Sequence, residues 1–272
     1  MIILSLFDGI SCGRLALNRA NLQVTSYYAS EIDKHAIQVA KQNYPETIQL
    51  GDINNWKSWE IEKLDLIIGG SPCQGFSFAG KQLAFNDPRS KLFFTFSDIV
   101  KHYKPKYFLL ENVRMKKEYI NIISDNLGVD PICINSALVS AQNRVRYFWT
   151  NIQNINQPKD KHIYLKDVLE TPGIVGRMTG RRLNAQGKRE DYNHSIPVKQ
   201  RFEPRTDNKS GCLTTVKKDN MVDGKRYLTP IEYERLQTLP DNYTESASKT
   251  QRYKMLGNAW TVDVVAHIFK NI

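Results

Sequence analysis

The sequence predicts an α/β fold built on a doubly wound, largely parallel sheet. Short apolar runs recur along the chain, among them Ile2 to Phe7, Leu64 to Ile68 and Tyr107 to Leu110. Each run ends in glycine or polar residues, and a helical pattern that includes Leu15 and Leu17 follows the first of them. Buried strands that alternate with helices are typical of a sheet covered by helices on both faces. A chain of 272 residues is long enough for one such domain and a smaller second one.

The first predicted strand leads into a glycine-containing loop. Ile2 to Phe7 passes into Asp8-Gly9-Ile10-Ser11-Cys12-Gly13, where the helical pattern begins. Glycine lets a ligand approach the backbone, and the start of a helix offers free N–H groups. The opening run lacks a basic leader and is cut short by Asp8, so we expect a strand and not a signal peptide. No apolar run approaches the length that spans a membrane.

The next two predicted elements each end in an acidic residue. The run Thr25 to Ser30 is followed by Glu31-Ile32-Asp33, and a third element ends in Gly51-Asp52-Ile53. An acid after the second strand is where a nucleotide-binding sheet holds a ribose diol. A nicotinamide-dinucleotide site is one hypothesis for this half, although the first loop is not Gly-x-Gly-x-x-Gly and no pyrophosphate site is evident. The motifs further along the chain favour a different nucleoside cofactor.

A cysteine follows the predicted strand Leu64 to Ile68, in the run Gly69-Gly70-Ser71-Pro72-Cys73-Gln74-Gly75-Phe76-Ser77. The carboxyl end of a parallel strand opens onto the crevice where α/β sheets bind ligands. A thiol on this turn can therefore act as a nucleophile once it is ionised. Taken alone, Cys73 would more simply be a small core residue, because free cysteine is usually buried.

Two further polar motifs stand at predicted strand termini. Tyr107 to Leu110 runs into Glu111-Asn112-Val113, and a carboxyl group is costly at the end of a buried strand unless it has a partner or a task. Gln142-Asn143-Arg144-Val145-Arg146 alternates long polar side chains and leads into Tyr147-Phe148-Trp149. An α/β sheet would bring the cysteine, the glutamate and the paired arginines together over one crevice.

In this order, Pro72-Cys73-Gln74, Glu111-Asn112-Val113 and Gln142-x-Arg144-x-Arg146 resemble the motifs of the DNA (cytosine-5) methyltransferase family. The resemblance extends over nearly the whole chain, through Phe7-Asp8-Gly9, Arg235-Leu236-Gln237 and Gly257-Asn258-Ala259, and only about residues 152 to 210 lack counterparts. It implies a Rossmann-like sheet of the kind found in S-adenosylmethionine-dependent methyltransferases, with a small inserted target-recognition domain. We expect a catalytic and cofactor-binding domain over residues 1–160, the target-recognition domain over 161–225, and a return segment with a C-terminal helix over 226–272.

The resemblance also implies catalytic roles. Cytosine C5 becomes nucleophilic when a thiolate adds to C6 and N3 gains a proton. By resemblance, Cys73 attacks C6, Glu111 addresses N3 and the exocyclic amine, and Asn112 fixes the active-site loop. Arg146 would hold the base carbonyl, and Arg144 would orient Glu111. The target base must be flipped out of the duplex, because C6 is inaccessible inside it. No metal is required.

A pocket for S-adenosyl-L-methionine, with S-adenosyl-L-homocysteine as product, follows from the same resemblance. The cofactor residues that it implies are Phe7, Asp8, Gly9, Ile10, Glu31, Ile32, Asp52, Ile53, Pro72, Leu92 and Asn258. Glu31 would bind the ribose hydroxyls, and Asp52 with Ile53 would lie at the adenine. Ser11 and Cys12 stand where the family commonly has paired glycines, as in the similar opening of the animal de novo DNA methyltransferases.

Charge favours a nucleic-acid partner. The chain has 38 Lys and Arg against 28 Asp and Glu, a net charge of +10, although a merely basic, solvated surface is the alternative. We expect double-stranded DNA as the partner. The candidate DNA contacts are Gln74, Ser77, Lys81, Arg89, Arg181 and Arg182. Residues 74–91 resemble the mobile catalytic loop of the family, with an ordinary surface loop as the alternative, and charge runs often only face water.

Two other functions stay open from the sequence. A tRNA cytosine-5 methyltransferase uses the same chemistry, but the Cys-Phe-Thr signature of those relatives is absent. A catalytically inactive DNA-binding module is the second alternative, and it would have no use for intact Cys73, Glu111 and Arg146. The four scattered cysteines suit neither a metal site nor a disulfide framework, so we expect the reducing cytoplasm of a bacterium or phage-infected cell. We also expect a monomer.

Overall fold

The structure of the protein is a computed structural model that describes residues 1–61, 63–72, 92–215 and 217–272. Five predicted site residues lie outside the described residues, namely Cys73, Gln74, Ser77, Lys81 and Arg89. Within the described ranges, no helix is both long enough and apolar enough to cross a membrane.

The larger of two sheets forms the core of the molecule. Its strands are β1 (Ile2–Leu6), β2 (Ser26–Ser30), β3 (Ile48–Gln49), β4 (Leu66–Gly70), β5 (Tyr107–Val113), β6 (Ile132–Asn135) and β7 (Val145–Thr150). They lie in the order β3-β2-β1-β4-β5-β7-β6. All pairs are parallel except those of β7, which is antiparallel to both β5 and β6. The strand order reverses between β1 and β4, the kind of switch point at which open α/β sheets bind ligands.

Helices cover both faces of this sheet, and the alternation of side chains along each strand supplies both cores. The helices are α1 (Cys12–Arg19), α2 (Lys34–Asn43), α3 (Leu92–Tyr103), α4 (Lys117–Leu127), α5 (Pro230–Leu236), α6 (Lys249–Asn258) and α7 (Val262–Phe269). Ile3 and Ile68 face the core that holds α1 and α7. Leu4 and Ile67 face the opposite core, with α3 and α4. The predicted doubly wound α/β fold is confirmed.

The pairing of β5 with β7 corrects one expected strand end. The sequence placed the end of the strand at Leu110, but β5 continues to Val113, because Glu111 pairs with Phe148 and Val113 with Arg146 across to β7. Glu111 therefore lies inside a strand, on a firm backbone, and not in the loop beyond it. An antiparallel neighbour could not be inferred from the apolar run alone.

The smaller sheet is wholly antiparallel. It contains β8 (Val175–Arg181), β9 (Lys199–Pro204), β10 (Met221–Val222) and β11 (Arg226–Tyr227), in the order β11-β10-β8-β9. This sheet lies within the part of the chain where a target-recognition domain is predicted, with β11 just beyond its expected end at residue 225. The domain boundaries themselves stay a prediction.

A buried lysine joins the segment between β9 and β10 to the chain on either side of β7. Lys209 Nζ donates to the backbone carbonyls of Ala137, Ser140 and Ile163 at 2.6, 3.0 and 2.8 Å. Burial lowers the pKa of Lys209 below its ordinary value. Next to it, the Asn143 N–H donates to the Ser210 carbonyl at 3.0 Å. These bonds bring residues 209–213 against the start of β7.

Candidate active site

Glu111 and Arg146 form an ion pair at the crevice. Glu111 Oε1 lies 2.8 Å from Arg146 Nε, and about nine-tenths of each side chain is buried, with 11% and 14% exposed. The pair follows from strand register. Glu111 of β5 lies opposite Phe148 of β7, and Arg146 stands two residues before Phe148, so its side chain lies on the same face of the sheet as Glu111. Arg146 Nη1 also donates to the Val145 carbonyl at 2.9 Å. The carboxyl group is thus held by a guanidinium that is itself fixed.

This geometry corrects the role expected of Arg144. The sequence interpretation had Arg144 orienting Glu111, but Arg146 makes that contact. Arg144 precedes the first residue of β7, and its Nη2 donates to the carbonyls of Ala259 at 2.9 Å and Gly257 at 3.3 Å. The last carbonyls of a helix lack intrahelical partners, and the end of α6 therefore attracts the guanidinium.

Arg144 is almost fully buried, at 3% exposure, and it joins three segments. Besides its bonds at the end of α6, its Nη1 donates to the Leu213 carbonyl at 3.0 Å. Burial, and secondarily the neighbouring Arg146, lower the pKa of Arg144 below its ordinary value. Arg144 ties the return segment to the catalytic sheet.

Asn112 reaches the segment that precedes the predicted nucleophile. It is 1% exposed, and its Nδ2 donates to the Ser71 hydroxyl at 3.0 Å. Ser71 and Pro72 are the last described residues before Cys73, which lies outside the described residues. Asn112 therefore anchors the backbone two residues from Cys73. Leu92, a predicted cofactor residue and the next described residue along the chain, is half-buried and begins α3.

Trp260 is a site residue that the sequence analysis missed. A Cβ atom on Gly70 would lie 2.9 Å from Trp260 Nε1 and 3.1 Å from Glu111 Oε2. The indole and the carboxyl group therefore both crowd the end of β4. Glycine is needed at position 70 because any side chain would collide with them. The sequence signal for Trp260 was its position directly after Gly257-Asn258-Ala259, the last motif of the chain. Asn258, a predicted cofactor residue, is exposed at the end of α6.

The loop after β1 is held to the end of β2 by Glu31. Glu31 Oε2 accepts from the Gly9 N–H at 2.8 Å, and Oε1 accepts from Ile32 and Asp33 N–H groups at 2.7 and 2.8 Å. Phe7 and Gly9 have φ values of 58° and 59°, in the left-handed region. A Cβ on Gly9 would meet no atom within 4 Å, so open space lies above the loop.

Asp8 differs from expectation, because its side chain faces the interior. Its carboxyl accepts hydrogen bonds from the Ser11 hydroxyl at 2.5 Å and the Tyr27 hydroxyl at 2.7 Å. Burial raises the pKa of Asp8 above its ordinary value. The Asp8 side chain thus shapes the loop from beneath. Ile10, also predicted as a cofactor residue, is 2% exposed in the core, and its carbonyl accepts from Tyr243 Oη at 2.8 Å.

A second open position lies after β3. Asp52 caps the short 3₁₀ helix Ile53–Ser58, and its Oδ1 accepts from the Asn54 N–H at 2.9 Å. Ile53 is buried, whereas the Ile32 side chain is 74% exposed. A large exposed apolar side chain beside an acid and a glycine loop provides a surface that a planar apolar ring could cover.

The two predicted DNA-contacting arginines are engaged within the small sheet. Arg181 binds Glu203 through two hydrogen bonds of 2.5 and 2.8 Å and lies 3.2 Å from Asp191. Arg182 donates to the carbonyls of Ile196 and Asp191. The Arg181 and Arg177 guanidiniums lower the pKa of Glu203 to about 2. Carboxylates and carbonyls engage most donors of the two guanidiniums, so Arg181 and Arg182 are less available for phosphate contact than the sequence predicts.

The chain that carries these residues matches a known sequence family. The profile of the C-5 cytosine-specific DNA methylase family matches residues 1–210 and 149–272, two overlapping segments that together span the chain. The chain belongs to this family. The resemblance drawn from the cysteine, glutamate and arginine motifs is confirmed.

Related methyltransferases align with nearly the whole length of this methylase. It is 30% identical to the Type II methyltransferase M1.ScrFI of Lactococcus lactis subsp. cremoris, over 97% of this chain and 75% of the relative. It is 28% identical to the Type II methyltransferase M.HhaI of Haemophilus parahaemolyticus, over 99% and 93%. A mutant of Spodoptera frugiperda DNMT2 shares the fold, with a TM-score of 0.66 at 20% identity over 99% and 98% of the two chains. The family and the two Type II methyltransferases support DNA cytosine-5 methyltransferase activity.

Among the described residues of the methylase, no group of three or more histidine, cysteine, aspartate or glutamate side chains is arranged to hold a metal ion.

Proposed function

We propose that this methylase transfers a methyl group from S-adenosyl-L-methionine to C5 of a cytosine that is flipped out of duplex DNA. The observation that carries the proposal is the Glu111–Arg146 ion pair. Glu111 lies in register with Gly70 of β4, and Gly70 stands three residues before Cys73 in the sequence. An acid held by a guanidinium beside a strand end that leads to a thiol is the donor set that cytosine activation needs.

In the proposed reaction, the Cys73 thiolate bonds to C6 of the cytosine. The electron pair of the C5–C6 double bond shifts to C5–C4, and that of the C4–N3 double bond moves onto N3. Glu111, which takes up a proton from solvent as the base enters, delivers that proton to N3. Arg146 holds the resulting carboxylate through its Nε, 2.8 Å away. Once C5 carries the methyl group, N3 returns its proton to the Glu111 carboxylate and a solvent base takes the C5 proton. The C5–H electron pair re-forms the C5–C6 double bond, and sulfur leaves C6 as the thiolate, which restores the aromatic ring.

The residues around the glycine loop suit S-adenosyl-L-methionine, which when bound would supply an electrophilic methyl group. Gly9 and Gly51 both have positive φ values, and a Cβ on either would meet no atom within 4 Å, so a ligand can approach the backbone there. We assign the ribose hydroxyls to Glu31 and the adenine to the exposed Ile32 with Asp52. Trp260 would close the pocket on the side of α6.

Glu31→Ala is expected to weaken S-adenosyl-L-methionine binding by about tenfold to a hundredfold, because a charge-assisted hydrogen bond of roughly 1.5–3 kcal/mol is lost. Isothermal titration calorimetry on the protein without DNA measures this directly. Glu31→Gln keeps one acceptor oxygen for the Gly9 N–H, so its affinity for S-adenosyl-L-methionine should lie between those of wild type and Glu31→Ala. Unchanged affinity in Glu31→Ala would remove Glu31 from the pocket.

We assign the DNA-contacting surface of the small sheet to one face of β8 and β9. Arg177 pairs with Glu203, Thr179 with Arg201 and Arg181 with Lys199, so these side chains share a face. Lys199 and Arg201 are exposed, with no hydrogen-bond or ion-pair partner among the described residues. An antiparallel ribbon with free cations fits the phosphate-binding elements of DNA readers.

Replacing both Lys199 and Arg201 with alanine should reduce the slope of log affinity against log salt by about 2, since each phosphate contact contributes roughly 0.9 on B-DNA. Fluorescence anisotropy with a labelled duplex at several salt concentrations measures the slope. Arg181→Ala is the matched control, because the Arg181 guanidinium already donates to Glu203. This variant should have lower thermal stability and an unchanged salt slope. Equal slopes in wild type and the double variant would contradict the assignment.

Incubation of the enzyme with methyl-labelled S-adenosyl-L-methionine and either duplex DNA or tRNA tests the proposed function. Label should enter duplex DNA and appear as 5-methylcytosine after digestion to nucleosides. Label in tRNA alone would establish the RNA alternative. Absence of label in both, with cofactor binding intact, would establish the inactive DNA-binding module.

A further inference from the structure

A cysteine outside the predicted site touches both Arg144 and Arg146. Cys212 lies on the segment between β9 and β10, next to Leu213, whose carbonyl binds Arg144. Its Sγ is 3.3 Å from Arg144 Nη1 and 3.7 Å from Arg146 Nη2. The hydrogen bonds that Lys209 and Ser210 make to the larger sheet bring the sulfur to this position.

The guanidinium of Arg146 is consequently held at two ends. Its Nε binds Glu111 at 2.8 Å, and its Nη2 faces the Cys212 sulfur. Arginine has several rotatable bonds, and it loses about 2 kcal/mol of rotamer freedom when it is fixed. A guanidinium anchored only through Glu111 would move with the carboxyl group, whereas one anchored also at Nη2 keeps the carboxyl group in one place.

We propose that Cys212 is a positioning residue whose sulfur accepts from Arg144 and Arg146 and thereby fixes the Arg146–Glu111 pair for proton delivery to the target base. The proposal rests on the methyl-transfer function proposed above. Cys212 itself touches neither the base nor the cofactor in this scheme.

The electrostatic surroundings of Cys212 support this role. Two guanidinium groups lie side by side, and the sulfur between them is the acceptor that offsets their mutual repulsion. Burial opposes ionisation of the thiol, but Arg144 and Arg146 outweigh it and lower the pKa of Cys212 below its ordinary value. By contrast, burial raises the pKa of Cys133, a thiol on β6, because the opposing effect of Arg114 does not outweigh it.

The test is a comparison of Cys212→Ala, Cys212→Ser and Cys133→Ala by steady-state kinetics on duplex DNA. Cys212→Ala should lower kcat about tenfold, since displacing a reacting group by a fraction of an ångström costs this much, and should change KM for DNA and cofactor less than about twofold. Serine retains an acceptor and should restore most of kcat. Cys133→Ala should match wild type.

A double-mutant cycle separates positioning from a general loss of packing. If Cys212 acts through Arg146, then Cys212→Ala should have little further effect on kcat in an Arg146→Lys background. Additive losses in kcat would overturn the proposal, as would an unchanged kcat in Cys212→Ala. If Cys212→Ala does not fold, Cys212→Val, which fills the space of the thiol without offering an acceptor, takes its place in the kinetics and in the cycle. Absence of methyl transfer by the wild type would instead be a failure of the proposed function.

Discussion

Glu111→Gln is expected to lower the rate of methyl transfer to duplex DNA by roughly 10²- to 10⁴-fold, the usual contribution of a positioned general acid. Glutamine has almost the same shape and can still donate a hydrogen bond to N3, but it cannot deliver a proton. The Arg146 Nε, which lies 2.8 Å from Glu111 Oε1, would keep an acceptor in the amide oxygen. Single-turnover measurement with saturating enzyme isolates this step from product release.

The Arg146→Lys variant is the matched companion of Glu111→Gln. Lysine keeps the positive charge but offers a single nitrogen, which cannot bind Glu111 and face Cys212 at once. We expect an intermediate loss of rate, with S-adenosyl-L-methionine affinity within about twofold of wild type in both variants because the proposed cofactor contacts belong to other residues. A Glu111→Gln enzyme with wild-type single-turnover rate would remove Glu111 from the chemistry.

Cys73→Ala is expected to abolish methyl transfer, with a loss of roughly 10⁴-fold or more, as when other enzymes lose their nucleophile. Without a thiolate at C6, cytosine C5 does not become nucleophilic enough to accept the methyl group. Cofactor affinity, measured by calorimetry, should stay within about twofold of wild type, because the proposed cofactor contacts belong to other residues. Cys12→Ala is the control for a thiol unrelated to the reaction: Cys12 is buried, and burial raises its pKa to about 12.

The motifs predicted the sheet and its crevice well because strand ends carry a strong sequence signal. Glycines, acids and a proline punctuate short apolar runs, and each run became a strand of the larger sheet within a few residues. The family assignment followed from motif order. The extension of β5 through Glu111 escaped prediction, because it depends on an antiparallel partner that lies more than thirty residues further along the chain.

Partner choice among polar side chains was the weakest part of the sequence interpretation. Arg144 and Arg146 are alike in the sequence, and only the register of β5 against β7 and the position of the end of α6 decide which of them binds Glu111. Likewise, Arg181 looks like a free cation until Glu203 is found on the neighbouring strand. Trp260 and Cys212 were not assigned to the site, since long-range packing of the return segment and of the segment between β9 and β10 places them there.

Covalent trapping tests the central claim most directly. A duplex that carries 5-fluorocytosine at the target position should be methylated once and then held, because fluorine cannot leave C5 as a cation and the C6–sulfur bond cannot break. With S-adenosyl-L-methionine present, the wild-type enzyme should form an adduct that survives denaturing gel electrophoresis, and peptide mapping should place it on Cys73. Cys73→Ala should form none. A wild-type enzyme that methylates ordinary duplex but gives no adduct with the fluorinated one, or an adduct mapped to Cys12 or Cys212, would contradict the account.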